Sequence, residues 1–212
     1  MAWENILNHS LTAKPYAAHT YRPFAHRPSK FMDRIDFTRL RFLVVDDNAH
    51  MRQIVRTILH GFGARELLEA VDGAAGLEVF THNQPDIVIT DWAMPIFNGI
   101  ELTQMIRQPN NSKNPFVPII MLTAYTEKSR VVAARDAGIT EFLAKPISAK
   151  ALYLRIRSII ANPRPFIKTE TYFGPDRRRT TNAKYTGPER RKANQEPVQH
   201  TESLPDKVKP RA

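Results

Sequence analysis

Five polar residues stand at the ends of apolar runs, and their types could together carry chemistry. Asp46 and Asp47 follow Phe42-Leu43-Val44-Val45, and Asp91 closes Ile87-Val88-Ile89-Thr90. Thr123 closes Val117-Pro118-Ile119-Ile120-Met121-Leu122, and Lys145 follows Phe142-Leu143-Ala144. Strand ends in an open parallel sheet line up along one edge, so residues far apart in sequence converge there. Three carboxylates in one pocket repel one another and are relieved by a hard divalent cation with oxygen ligands, for which Mg2+ is the natural candidate. Asp91 is then placed as an in-line nucleophile that forms an acyl phosphate, with Thr123 and Lys145 binding the other phosphoryl oxygens. The set reads as a phosphoacceptor, not as a hydrolase or another enzyme. Each residue alone has an ordinary structural use, the acids and Thr123 as caps or turn residues and Lys145 as a solvated charge. Four strand ends carrying the whole set favour the shared pocket.

The elements that must position these residues are legible as five strand-then-helix units. Strands are predicted near 40–46, 65–70, 86–91, 117–122 and 140–144. Between them Met51, Ile54, Val55, Ile58 and Leu59 recur at helical spacing, as do Leu102, Met105 and Ile106, and more weakly Val131, Ala134 and Ala137. The last helix is predicted to start after Ser148 as N-cap and to run through Leu152, Ile156 and Ile159 to Asn162-Pro163. Alternating strands and helices imply an α/β fold with a parallel sheet covered on both faces.

The segment from about Arg39 to Ile160 resembles the receiver domain of two-component response regulators. The resemblance rests on Asp46-Asp47, on Asp91 within Asp91-Trp92-Ala93-Met94-Pro95-Ile96-Phe97-Asn98-Gly99, on Thr123-Ala124 and on Lys145-Pro146. It implies a (βα)5 doubly wound, flavodoxin-like sheet, CheY-like in type. It implies phosphorylation at Asp91, Mg2+ held by Asp46, Asp47, Asp91 and the Ala93 carbonyl, and Thr123, Phe142 and Lys145 as switch residues. It implies as partners a sensor histidine kinase or phosphotransfer protein and a downstream protein target. The family commonly has a cis Lys-Pro bond, which is plausible mainly before proline. Where the family often has tyrosine, Phe142 lacks the hydroxyl that would reach solvent and should favour burial; permanent packing of this ring is the equal alternative.

Length and composition agree with one such domain between two extensions, expected as 1–38, 39–161 and 162–212. The absence of cysteine excludes disulfides, thiolate catalysis and Cys-based metal sites. The first residues lack a basic start followed by an apolar stretch, and no run approaches the roughly 18 apolar residues of a membrane span, so a cytoplasmic protein without membrane attachment is expected. Residues 1–38 are rich in His, Tyr, Phe and Pro, without periodicity beyond Trp3-Ile6-Leu7, and are expected to be mostly disordered.

Residues 162–212 carry 12 Lys and Arg against 6 Asp and Glu, a share of six in the formal net charge of +10. A basic, proline-containing segment with few large aliphatics is expected to be disordered when alone. It contains an imperfect repeat of period 13: Tyr172-Phe173-Gly174-Pro175-Asp176-Arg177-Arg178-Arg179 is echoed by Tyr185-Thr186-Gly187-Pro188-Glu189-Arg190-Arg191-Lys192. Arginine forks, a carboxylate and an aromatic plane suit a guanine nucleotide. A duplex-binding tail would gain from losing Asp176 and Glu189, and no stretch is long enough for a helix-turn-helix, which argues against nucleic acid. The arrangement resembles the arginine-rich tails of CheY-like cyclic di-GMP effectors, which link that messenger to flagellar or surface behaviour. That resemblance implies cyclic di-GMP as ligand of Tyr172, Asp176, Arg177, Arg178, Arg179, Tyr185, Glu189, Arg190 and Arg191. A basic segment that contacts nucleic acid or protein is the alternative for the tail, and a phosphate sink is the alternative for the whole.

Overall fold

The computed structural model describes residues 35–108, 112–124, 128–169, 171–177 and 196–198. Its centre is a five-stranded parallel sheet in the order β2-β1-β3-β4-β5, formed by β1 (Arg41–Val45), β2 (Glu66–Ala70), β3 (Ile87–Asp91), β4 (Ile119–Thr123) and β5 (Glu141–Ala144). Helices α1 (Ala49–Gly61), α2 (Gly73–Asn83), α3 (Gly99–Ile106), α4 (Lys128–Ala137) and α5 (Ala149–Ala161) alternate with the strands. This is the expected doubly wound, flavodoxin-like α/β fold, and each strand lies within two residues of its predicted range.

The central strands carry apolar side chains on both faces because side chains alternate between two covered faces. Phe42 and Val44 of β1 point to one face with Ile87, Ile89, Ile120 and Leu122, where they meet Val55 and Leu59 of α1 and Leu152, Ile156 and Ile159 of α5. Leu43 and Val45 point to the other face with Val88, Ile119 and Met121, against Phe80 of α2, Leu102 and Ile106 of α3 and Ala134 of α4. Ser148 caps α5 by accepting from the Ala151 backbone, as its position predicts.

The folded body runs past both expected boundaries. On the N-terminal side, Phe37 is 4 % exposed in a short 3-10 turn, Phe37–Arg39, and its ring packs with Phe42, Phe62 and Tyr153. The chain therefore joins the core before residue 39.

On the C-terminal side, the expectation of disorder from residue 162 does not hold for the described residues that follow α5. Strands β6 (Phe166–Lys168) and β7 (Phe173–Pro175) form an antiparallel hairpin, and β8 (Glu196–Val198) pairs with the other edge of β6. The hairpin rests at the end of the sheet where β4 and β5 begin. Phe116, which precedes β4, meets Phe166 and Phe173 with ring centroids 5.1 and 5.3 Å away. Arg164 donates to the Thr140 carbonyl at 3.2 Å and to the Asp176 carbonyl, while the Asp176 N–H donates to the Pro165 carbonyl at 2.7 Å.

Arg107, at the end of α3, is 4 % exposed beneath the hairpin. It donates to the carbonyls of Gly138 (3.0 Å), Pro115 (2.7 Å) and Val117 (2.8 Å), and its guanidinium lies 5.1 Å from the centre of the Phe166 ring. Burial lowers its pKa to about 9, opposed by the negative charge that Tyr172 carries when ionised. Composition missed this hairpin because aromatic rings and arginine stems, not aliphatic side chains, supply its buried surface.

Gly174 is required by the closeness of this docking. A Cβ there would lie 2.7 Å from the Tyr172 hydroxyl and 3.0 Å from the Gly138 Cα. Gly174→Ala is expected to lower the free energy of unfolding by about 1–3 kcal/mol through overpacking, measured by urea unfolding followed by circular dichroism. An unchanged midpoint would show that the hairpin does not press on the domain.

Candidate functional site

Strand β1 is followed by α1 and a move to β2 on one side, whereas β3 lies on its other side, so the strand order reverses between β1 and β3. Crevices in open α/β sheets form at that point, outside the carboxyl ends of the strands. Asp46 and Asp47 leave β1 there and Asp91 ends β3. The acids are free to face the crevice because another residue caps α1: the Asn48 side chain accepts from the His50 and Met51 backbones.

The three carboxylates each offer an oxygen within 4.8 Å of the others, with Asp46 and Asp91 buried and Asp47 exposed. Asp46 is fixed by the Asn48 N–H, which donates to its Oδ1 at 2.9 Å. Lys145 reaches in from the far side, its Nζ 2.9 Å from Asp91 Oδ1 and 3.2 Å from Asp46 Oδ2. Its own position is set by its backbone N–H, which donates to the Thr123 carbonyl at 2.8 Å, and the Lys145-Pro146 bond that follows is cis. Thr123 is 4 % exposed at the end of β4. The structure thus brings Asp46, Asp47, Asp91, Thr123 and Lys145 to one edge of the sheet. Ala93 follows two residues after Asp91, on the exposed part of the β3–α3 loop.

Burial pushes the Asp91 carboxyl above its ordinary pKa of 3.8, against the opposing hydrogen bond and charge of Lys145, and the Asp46 charge adds to the rise. Burial alone would lower Lys145, but the hydrogen bond and charge of Asp91, joined by Asp46, outweigh it and hold the ammonium above 10.5. Three acids against one cation leave the pocket short of positive charge. All the offered donors are carboxylate oxygens, the set that suits Mg2+ or another hard cation, so the residues present fit the metal their sequence predicts.

The sequence profile of the response regulator receiver domain matches residues 42–157, the span that holds all five polar residues. The chain belongs to the response regulator receiver domain family. The receiver is 33 % identical to the chemotaxis protein CheY-3 of Vibrio cholerae over 128 residues, covering 60 % of this chain and 97 % of that protein. It is 32 % identical to the chemotaxis protein CheY of Pseudomonas aeruginosa, covering 57 % and 95 %. Among solved structures it resembles a response regulator from Chloroflexus aurantiacus, with 32 % identity, a TM-score of 0.53 and coverage of 57 % and 98 %. It also resembles the receiver domain of a sensor histidine kinase from Pseudomonas aeruginosa, solved with a magnesium ion coordinated in its active site cleft. There the identity is 26 %, the TM-score 0.51 and the coverage 56 % and 94 %. The protein is therefore a CheY-like receiver of two-component signalling, a family whose members interact with histidine kinases or phosphotransfer proteins. No described helix of the receiver is long and apolar enough to cross a membrane.

Phe142 sits half-buried on β5, packed against the face that holds Met121 and Ala134. The tail residues expected to read a nucleotide are engaged within the receiver as far as they are described. The Tyr172 ring is buried, its hydroxyl donates to the Pro175 carbonyl at 2.8 Å, and the Arg177 guanidinium covers it at 4.1 Å. Arg177 also lies 3.3 Å from Asp136, and the Asp176 backbone closes the hairpin. Arg178, Arg179, Tyr185, Glu189, Arg190 and Arg191, like residues 1–34, lie outside the described residues. Sequence reasoning missed one feature of the β3–α3 loop: Ile96, inside the motif that carries Asp91, has φ 65° and is 88 % exposed. Only its unusual residue type for a turn could have drawn attention to it.

Because its pKa is raised on folding, Asp91 favours the folded state below the unfolded value of 3.8 and loses that contribution as pH rises through the folded value. At pH 7 without Mg2+, Asp91→Asn is accordingly expected to raise Tm by about 2–4 °C, the change that about 1 kcal/mol produces in a chain of this size. The gain should shrink towards pH 4, and Mg2+ should stabilise the parent more than the variant. Calorimetric melting at both pH values checks this. A lower Tm for the variant at pH 7 would show that the Lys145 pair outweighs the burial of Asp91.

Proposed function

We propose that this receiver accepts a phosphoryl group on Asp91 from a sensor histidine kinase or phosphotransfer protein and signals through protein contacts, with no turnover chemistry of its own. The observation that carries the reading is the recessed Asp91 side chain, 10 % exposed, with Lys145 2.9 Å from one of its oxygens and two more carboxylates beside it. Asp46, Asp47, Asp91 and the Ala93 carbonyl would hold Mg2+, which when bound neutralises charge on the transferring phosphoryl group.

Lys145 fixes Asp91 Oδ1, which leaves the second carboxylate oxygen to attack phosphorus. The new O–P bond forms as the P–N bond of the donor phosphohistidine breaks, and the leaving imidazole keeps the electron pair. The Thr123 hydroxyl and the Lys145 ammonium then hydrogen-bond the phosphoryl oxygens. Movement of Thr123 towards the phosphoryl group would open space beside Phe142, whose half-buried ring can deepen its packing and alter the face made by α4, β5 and α5.

Cyclic di-GMP binding by the tail is the finer reading, supported by the repeated aromatic, Gly-Pro, acid and arginine set. Binding through the first copy has to release Arg177 from Asp136 and uncover Tyr172. Calorimetric titration of the full chain is expected to show binding that weakens when Asp176 and Glu189 are replaced by alanine. Tighter binding after that loss, or equal binding of cyclic di-AMP, would reduce the tail to a basic patch.

Acetyl phosphate with Mg2+ is expected to add one phosphoryl group to the parent and none to Asp91→Asn, read by intact mass. Asp47→Asn should weaken Mg2+ binding on the order of tenfold, about 1.4 kcal/mol, and slow labelling without changing the circular dichroism spectrum. Labelling of the Asp91→Asn variant to the same extent as the parent would refute the nucleophile.

A further inference from the structure

Ile96 combines two unfavourable properties on one residue. It is 88 % exposed, more than any other large apolar side chain among the described residues, and its φ of 65° lies where a β-branched side chain crowds the backbone. The Phe97 N–H donates to the Pro95 carbonyl at 2.7 Å, closing a three-residue turn with Ile96 at its apex. The positive-φ form of such a turn is rare and strained.

The loop around this apex is held firmly. The Gly73 N–H donates to the Phe97 carbonyl at 3.1 Å, the Gly99 N–H donates to the Trp92 carbonyl at 3.1 Å, and Asn98 and Glu101 close a capping box at the start of α3. Strain of this kind persists only where the surroundings over-determine it, and it gathers at functional places. A second exposed apolar residue lies on the adjoining loop: Val71, 52 % exposed, stands two residues before the Gly73 that bonds to Phe97.

Both loops leave the same edge of the sheet as the phosphoacceptor pocket, and Ile96 follows Asp91 by five residues. The Asp91 side chain is only 10 % exposed, so a phosphoryl group must be delivered into a recess while the body of a protein donor rests on the rim. A rigid apolar anchor at that rim loses little freedom on binding and suits the buried centre of an interface. A small donor needs no such anchor.

We propose that Ile96, with Val71 on the adjoining loop, is the docking point for the protein phosphodonor, and that it enters an apolar depression next to the donor's phosphohistidine. The proposal rests on Asp91 being the phosphoacceptor. It assigns the β2–α2 and β3–α3 rim of the pocket to donor affinity, separate from the chemistry of the acids.

The test compares the full-length parent with Ile96→Asn, since asparagine tolerates positive φ, and with Ile96→Leu, which keeps an apolar side chain. The probes are acetyl phosphate with Mg2+, and the source organism's histidine kinases and phosphotransfer proteins, each purified and loaded with radiolabelled phosphate on histidine. Ile96→Asn is expected to keep the acetyl phosphate rate within about twofold and to lose about tenfold or more in kcat/KM for the protein donor that labels the parent fastest, with the change in KM. Ile96→Leu should restore transfer. Equal transfer to Ile96→Asn and parent would overturn the proposal, as would a loss confined to kcat or shared by acetyl phosphate. A parent labelled by acetyl phosphate and by no protein donor would overturn it as well. Failure of acetyl phosphate to label the parent would instead refute Asp91 as phosphoacceptor.

Discussion

Mutual repulsion among three carboxylates is the constraint around which this receiver is arranged. Asp46, Asp47 and Asp91 present oxygens within 4.8 Å of one another, and two of the three are buried. A protein keeps such a group only where the surroundings hold it and a cation relieves it. Lys145 supplies part of that relief, and burial still leaves Asp91 holding its proton more tightly than an ordinary aspartate. The remaining demand for positive charge is what suits the pocket to a divalent cation and to a group in transfer.

The scaffold meets this demand by bringing backbone close to backbone. Gly99 opens α3 so near the end of β3 that a Cβ would lie 2.1 Å from the Asp91 carbonyl oxygen, so α3 can start directly behind the nucleophile. On the sheet itself, β1 and β3 are neighbours in register from Phe42 with Ile87 to Val45 with Thr90, which sets the height of Asp46 against Asp91. Lys145 directly follows the fifth strand and Thr123 ends the fourth, yet the Lys145 N–H bonded to the Thr123 carbonyl ties the two ends together. Packing of apolar side chains on both faces therefore decides where the polar ones can stand.

The parts of the structure legible in the sequence are those governed by regular spacing. Strand ends, the Ser148 cap and the α5 stripe of Leu152, Ile156 and Ile159 follow from periodicity and capping chemistry, and the five polar residues follow from strand ends. Helix α2 carried no marked stripe, because Gly73, Ala74, Ala75 and Gly76 give its first turns little side chain to pattern. The hairpin after α5 was hidden for a different reason. Its strands are three residues long, too short to show alternation, and its buried surface comes from Phe166, Tyr172, Phe173 and the stem of Arg107. The charge count that suggested an unfolded tail was correct as a count. It could not show that Arg164 and Arg177 spend their guanidinium groups on carbonyls, a ring and Asp136.

The docked hairpin separates two boundaries that are usually taken as one. The family resemblance stops at residue 157, whereas the packed body continues to Arg177. Cutting the chain where the resemblance ends would strip the cover from Phe116 and leave the Arg107 side chain without its ring. The smallest piece of this protein that represents its native surface is thus longer than its family by about one hairpin. Its lower end, where β4 and β5 begin, is a face that a receiver ending with α5 would present to solvent and this one keeps for itself.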